Sequence, residues 1–192
     1  RPDIFTLAAH AAQRNLLTAL ATNGTMIDGP LADRIAVAGF DRVSVSLDGT
    51  DAPTHDAFRG LTGSFDQAVR ALRLLKQRNV PTQINCTIAR HNQHQLARLM
   101  ELAHGVGAEA VHFFLLVPVG CGQQIAESQM LDAHEVERRL LEIYDLEQQN
   151  DVQVKATCAP HNYRVLRQQN RRRGRPSHTR GNDTYAQTAG NP

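Results

Sequence analysis

The feature that most constrains this chain is a repeated switch of hydrophobic period, from about 3.6 residues to 2 and back, along most of its length. Ile4, Leu7, Ala8, Ala11 and Ala12 fall on one stripe of a helix over 3–14, and Leu16 to Ala21 then read as a short apolar strand ended by Thr22-Asn23-Gly24. A second helix around 28–38 stops at Gly39, where a residue without Cβ can take the left-handed cap. In the strand 42–47, Val43, Val45 and Leu47 alternate with Ser44, Ser46 and Asp48. Ser64-Phe65-Asp66-Gln67 reads as a capping box that opens a helix over 65–78. The strand 82–88 repeats the alternation, with Ile84, Cys86 and Ile88 opposite Gln83, Asn85 and Thr87. Asn92 and Gln95 read as caps of a helix to about Gly105, and 111–117 as a fuller apolar strand. Asp132 with Glu135 caps a long helix to about Gln149, and 152–157 closes the series.

Five alternations of helix and strand argue for an α/β fold whose strands lie parallel and adjacent in chain order, with right-handed crossovers and the helices outside. In a doubly wound sheet both strand faces pack on helices and read apolar. Here Ser44, Ser46, Gln83, Asn85 and Thr87 line one face, which needs a wet or ligand-filled interior, so a partial parallel βα barrel is expected. Ser46 and Asn85 should face that interior, and Val45 and Ile84 the helices. Arg1-Pro2-Asp3 reads as the first turn of a helix, which puts the preceding loop before position 1.

Composition narrows the functional classes. The 192 residues suit one core, and 41% hydrophobic with 21% charged residues is ordinary for a soluble domain. The net charge of +2 carries no nucleic-acid footprint, because the basic surplus is gathered in Arg171, Arg172, Arg173 and Arg175. No apolar run is long enough to span a bilayer, and the start lacks a signal-peptide pattern. Cys86, Cys121 and Cys158 stand about 35 residues apart, without the close pair of a zinc site or the framework of a secreted domain. The chain therefore reads as cytoplasmic. Beyond about Asn170 the sequence is Arg, Gly, Asn, Thr and Pro with almost no apolar residues, a tail without a packing face.

In a βα barrel the loops after the strands converge on one rim, so the candidate site is Thr22-Asn23-Gly24, Ser46 to Gly49, Asn85 to Arg90, Pro118 to Gln123 and Cys158 to His161. Taken in order, "ATNGT", "VSVSLDG" followed by "HDAFRG", "NCTIARHN" and "FFLLVPVG" resemble the ends of the third to sixth barrel strands of the radical S-adenosylmethionine (SAM) enzymes. The resemblance covers about residues 1–165. It is nearest to members with a Cys-rich SPASM- or twitch-like auxiliary region, and "LLVPVGCG" and "TCAPHNYRV" are similar to the branch that acts on tetrapyrroles in haem and d-type haem biosynthesis. Asn162 stands where that branch usually has an aromatic residue.

The resemblance implies a barrel cut at both ends over 1–165, with 166–192 leading toward an auxiliary iron–sulfur region. The family's CxxxCxxC loop, which ligates a [4Fe-4S] cluster, is absent from these residues and is expected upstream. The implied chemistry is reductive cleavage of SAM to a 5′-deoxyadenosyl radical that abstracts a substrate hydrogen, here on propionate side chains of a tetrapyrrole, with flavodoxin or ferredoxin as electron donor. These residues alone are expected to be inactive.

Several residues carry a functional reading beside a plainer one. Ser46 and Arg59 match family positions that hold the SAM carboxylate and ribose, and a hydroxyl and a guanidinium are suitable donors; Arg59 can instead serve the surface or a helix cap. Asp48 reads first as an Asx turn before Gly49, with ligand contact as the alternative, and Asn23 is similar. Asn85 is a ligand candidate or a partner of a neighbouring strand residue. Val117 lies where the family packs adenine, or is simply core. Cys86 reads as a small buried hydrophobe, whereas Cys121 and Cys158 are candidates for an auxiliary cluster or substrate contact. His161 is a candidate acid or propionate partner, while His91 and His94 read as solvated helix residues. The Arg171 to Arg175 run suits tetrapyrrole carboxylates or plain solvent.

Three functions stand side by side: a radical SAM enzyme of tetrapyrrole biosynthesis, a radical SAM enzyme that modifies a ribosomal peptide, and a non-catalytic βα module that binds a nucleotide.

Overall fold

A computed structural model describes residues 1–120 and 122–174. Five strands, β1 (Ala19–Thr22), β2 (Arg42–Ser46), β3 (Thr82–Ile88), β4 (Ala110–Leu115) and β5 (Gln153–Thr157), form one sheet in the order β1-β2-β3-β4-β5. Every neighbouring pair is parallel. The helices are α1 (Ile4–Ala12), α2 (Gly29–Ala38), α3 (Ala52–Arg59), α4 (Ser64–Lys76), α5 (Leu96–Val106), α6 (Gly122–Gln129), α7 (Ala133–Gln149) and α8 (Asn162–Arg172). Strands in strict chain order, without a switch point, form an arc of a βα barrel rather than a doubly wound sheet.

The alternation in sequence becomes two chemically different faces. Val43, Val45, Ile84, Ile88, Val111 and Phe113 are buried in one core cluster with Leu72, Leu75, Leu99 and Leu140 of the helices. Helix α4 packs on β2 and β3, α5 on β4, and α7 on β5. Full burial of each such side chain contributes about 1.5–3 kcal/mol, so this outer face is where the fold gains its stability. The opposite face carries Ser44, Ser46, Gln83, Asn85, Thr87 and His112, in cross-strand register. Ser46 and Asn85 thus lie on the inner face, away from Val45 and Ile84 as expected.

Helix ends explain the boundaries. Asp28 and Asp51 accept from Leu31 N and Thr54 N at 2.9 Å, and Gly39, Gly60 and Gly107 take left-handed caps. Asp132 and Glu135 form the expected capping box, with bonds of 2.8 and 2.9 Å. The box at Ser64 is not made. Gly63 adopts φ 82° and Ser64 is already helical; the carboxylate of Asp56 on α3 instead accepts from Gly63 N, Ser64 Oγ and Phe65 N at 2.6, 2.9 and 2.8 Å. A charged acceptor reaching in from another helix satisfies three donors at once, which a serine hydroxyl cannot. Asn92 and Gln95 do not cap α5 either, since their side chains are engaged by the loops after β2 and β3.

The first strand begins at Ala19, not Leu16, because β1 pairs with β2 only from Ala19 opposite Arg42. Leu16 is 58% exposed after a left-handed Asn15. The fourth strand ends at Leu115, which leaves Val117 in the following loop. The short helices α3 and α6 sit in loops after strands and were not indicated by the apolar pattern, and α8 runs across the expected boundary at 165/166. The tail expected beyond about Asn170 begins later, since α8 runs to Arg172 and Arg173 pairs with Asp145 at 2.7 Å and lies over the Tyr144 ring; the part beyond residue 174 lies outside the described residues.

Gly24 at φ 78° shows how closely the first loop is packed: a Cβ there would lie 3.0 Å from Val45 Cγ1 and 3.2 Å from the backbone of Ala68. Both the positive φ and the contact oppose a side chain. Gly24→Ala is therefore expected to lower the unfolding free energy by about 2 kcal/mol, read as a lower urea midpoint with an unchanged slope, whereas alanine at the open Gly105 has nothing within 4 Å to meet.

Candidate active site

At the C-terminal end of β2 the chain turns on Asp48, whose side chain is fully buried. Its Oδ1 accepts Thr87 N at 2.7 Å, and its Oδ2 accepts Arg59 Nε at 2.5 Å, with Arg59 Nη2 also at 2.5 Å. Its backbone N–H donates to His55 Nδ1 at 2.9 Å, and its carbonyl accepts from Asn92 Nδ2 at 2.9 Å. The residue therefore ties the end of β2 to α3, to β3 and to the loop after β3. The expected Asx turn is not formed: the carboxylate is spent on Thr87 and Arg59, and Thr50 N bonds Gln95 Oε1 instead. An ion pair inside the fold outcompetes a local turn because a buried carboxylate without a cation is costly.

Arg59 is thus a partner of Asp48, with 33% of its side chain still exposed at the rim. His55 accepts through Nδ1, which fixes the neutral tautomer with its proton on Nε2. Burial lowers its pKa, against the pull of Asp48. Gly49 lies beside this knot, where a Cβ would come within 2.9 Å of His55 N.

Below the rim, Ser46, Asn85, His112 and Lys155 stand opposite one another on β2, β3, β4 and β5. Asn85 accepts from Gln83 Nε2 at 2.6 Å, and Gln83 accepts from Arg42 Nη1 at 3.4 Å. Arg42 lies 3.8 Å from Glu109. With Oδ1 engaged, Asn85 offers its Nδ2 donors to the interior. Of its two readings, the bond to a strand residue is made, to Gln83 two residues earlier on the same strand. His112 is 5% exposed, and burial together with Lys155 and Arg42 lowers its pKa to about 4.

The remaining candidates are dispersed. Asn23 forms the expected turn, accepting from Thr25 N at 3.2 Å and Thr25 Oγ1 at 3.0 Å. Val117 is 39% exposed in the loop after β4, which excludes the plain core reading. Cys158 is exposed at φ 56°, just after β5; Cys121 lies outside the described residues. His161 is the residue before α8, in the loop that follows β5. His91 is not a solvated helix residue: both ring nitrogens are buried, and the ring stacks on Phe58 at 4.4 Å. Cys86 is buried, and burial pushes its thiol up, which fits a small hydrophobe.

Sequence reading missed His55, His112 and Lys155. His112 was hidden in an apolar run, where only its even spacing from Ala110 and Phe114 marked the inner face.

The donors Ser46, Asn85 and Arg59 fit the carboxylate and hydroxyls of a ligand such as SAM. The described residues do not supply an iron–sulfur cluster, since they bring together no group of three or more His, Cys, Asp or Glu able to hold a metal. No helix among them is long and apolar enough to cross a membrane.

Fold and site together define an α/β barrel segment with a polar inner face. Residues 1–103 match the model of the Radical SAM superfamily, and the chain belongs to that family. Among curated relatives it is 39% identical over 174 residues to the AdoMet-dependent heme synthase of Methanosarcina barkeri, covering 91% of this chain and 49% of that protein. It is 40% identical over 124 residues to the pre-heme d1 synthase of Dinoroseobacter shibae, covering 65% of this chain and 30% of that protein. The chain spans about half the length of the curated heme synthases it matches. In fold it is similar to Streptococcus suis SuiB bound to precursor peptide SuiA, with a TM-score of 0.69 at 16% identity, over 87% of this chain and 37% of that one.

Two outcomes follow from this geometry. Arg59→Met strands the buried Asp48 charge and is expected to cost about 3 kcal/mol, with a smaller loss in the double variant Arg59→Met, Asp48→Asn; urea titrations of the variants measure both. His112 gives a pH dependence. Its folded pKa of about 4 lies below the ordinary 6.5, so the unfolded chain binds the proton first and stability falls as pH drops from 6.5 toward 4. The loss attributable to His112 is on the order of 3 kcal/mol, and His112→Gln should remove it, seen as a flatter difference between denaturation curves over that window.

Proposed function

We propose that this chain is part of a radical SAM enzyme that modifies propionate side chains of a tetrapyrrole in haem or d-type haem formation. The observation that carries the reading is 39–41% identity to three AdoMet-dependent heme synthases over 91–92% of the chain. The peptide-modifying alternative is less well supported: the PqqA peptide cyclase relative is 32% identical over 56% of the chain. Family membership also argues against a non-catalytic nucleotide module.

In this reading residues 1–165 contribute barrel wall, 166–192 lead toward an auxiliary iron–sulfur region, and Cys121 and Cys158 at the rim are candidate ligands of an auxiliary cluster or contacts to substrate. Ser46 and Asn85 donate to the SAM carboxylate, while Arg59, kept in place by Asp48, faces the ribose. Asn23 holds the first rim loop, and Val117 covers the adenine. His161 stands as an acid or propionate partner where the path leaves the rim. When bound beside a reduced four-iron cluster, SAM supplies one-electron hydrogen abstraction. The protein's own share is positioning and exclusion of water, to which this arc contributes a polar face backed by an apolar wall. The electron donor is a small redox protein such as flavodoxin or ferredoxin.

The test uses the full reading frame that encodes this chain, purified without oxygen and supplied with reductant, SAM and an iron porphyrin carrying propionates. We expect 5′-deoxyadenosine together with loss of carbon dioxide from, or removal of, propionate chains, and Ser46→Ala with Asn85→Leu should weaken SAM binding about tenfold. Residues 1–192 alone, whose three cysteines are not spaced as CxxxCxxC, should give no 5′-deoxyadenosine. Turnover on a peptide and none on the porphyrin would overturn the reading.

A further inference from the structure

The inner face has two chemically different halves. On β2 and β3 the layer of Ser46 and Asn85 is neutral and hydrogen-bonded through Gln83, whereas on β4 and β5 the same layer holds His112 opposite Lys155. Adjacent strands lie about 4.8 Å apart, so Ser46 and Lys155 are about 14 Å from each other along the layer. That span accommodates two ligands side by side.

Three observations meet at His112. It is more than nine-tenths buried, and none of the described residues hydrogen-bonds its ring, whose nitrogens are not among the fully buried atoms left without a partner and so open toward the inner face. The charges acting on the ring are both positive, Lys155 on β5 and Arg42 on β2, while β3 presents the neutral Asn85. The acid Glu109 faces Arg42 at 3.8 Å, at the N-terminal end of the sheet. A neutral imidazole beside a lysine on the next strand, with no hydrogen-bond partner among the described residues, is suited to donate to an anion. One layer nearer the C-terminal rim, Phe114 and Thr157 lie on the same face, and the half-buried Phe114 ring offers an apolar wall beside the anion seat.

We propose that His112, with Lys155 beside it, seats one propionate carboxylate of the porphyrin substrate, on the half of the lumen next to the SAM half. The inference rests on the tetrapyrrole reading and adds to it where the substrate binds and which group orients it. Seating one propionate at this depth holds the macrocycle against Phe114 and directs another edge of the ring toward Ser46 and Asn85. His112 is here a positioning residue for substrate and takes no part in breaking bonds.

The test measures binding apart from turnover, on the full reading frame that encodes this chain, by the absorbance shift of two probes: an iron porphyrin with free propionates and its methyl ester, which has the same ring without the charge. His112→Gln is expected to weaken the acid at least tenfold, the ester less than twofold, and SAM not at all. Lys155→Met should act in the same direction, which keeps the test open should the buried histidine variant not fold. Equal loss for acid and ester would show a packing effect and overturn the proposal, as would unchanged affinity for the acid in both variants. If the unaltered protein binds neither probe, the tetrapyrrole reading falls and takes this inference with it; binding of the acid indifferent to His112 and Lys155 removes the inference alone.

Discussion

The arrangement depends on one buried carboxylate. Asp48 accepts from Thr87 N and Arg59, and its own backbone is held by His55 and Asn92. Parallel strands are joined by long crossovers, so nothing local fixes where β2 should end relative to β3. Asp48 supplies that fixed point by joining four segments through a charge that cannot remain unpaired in the interior. Because Ser46 is two residues before it and Asn85 two before Thr87, the inner-face register follows from the same contact.

The sheet's two faces are chemically different. Apolar side chains toward α4, α5 and α7 hold the arc, which leaves the inner face free to be polar. That polarity is organised: Glu109, Arg42, Gln83 and Asn85 form a chain of contacts that turns the donors of Asn85 inward, and His112 stands next to it without such a partner. A wall that orients one side chain through its neighbours and leaves another for a ligand fits an enzyme of this family, whose protein part positions reactants around chemistry supplied by the bound groups.

Much of this was legible in the sequence because it rests on period and spacing. The alternation of Val43, Val45 and Leu47 with Ser44, Ser46 and Asp48 gave the faces, and chain-order pairing gave the parallel arc. Long-range competition for donors and acceptors was not legible. Ser64 and Gln95 looked like caps by local pattern, yet Asp56 reached α4 from α3, and Gln95 was drawn to Thr50 N, 45 residues away. Asp48 looked like a turn former for the same reason: its true partners, Arg59 and Thr87, are 11 and 39 residues distant. His112 was missed because a lone histidine in an apolar strand carries no spacing signal until its neighbours across the sheet are known.

The central claim is that the inner face formed by β2 to β5 is the surface on which the reactants are held. An anaerobic crystal structure of the complete enzyme with SAM and a propionate-bearing porphyrin tests it most directly. The account predicts the SAM carboxylate within hydrogen-bond distance of Ser46 or Asn85, and a porphyrin carboxylate at His112, with the Asp48–Arg59 pair intact. Both ligands held outside the sheet's inner face, with Ser46, Asn85 and His112 contacting only water, would contradict it.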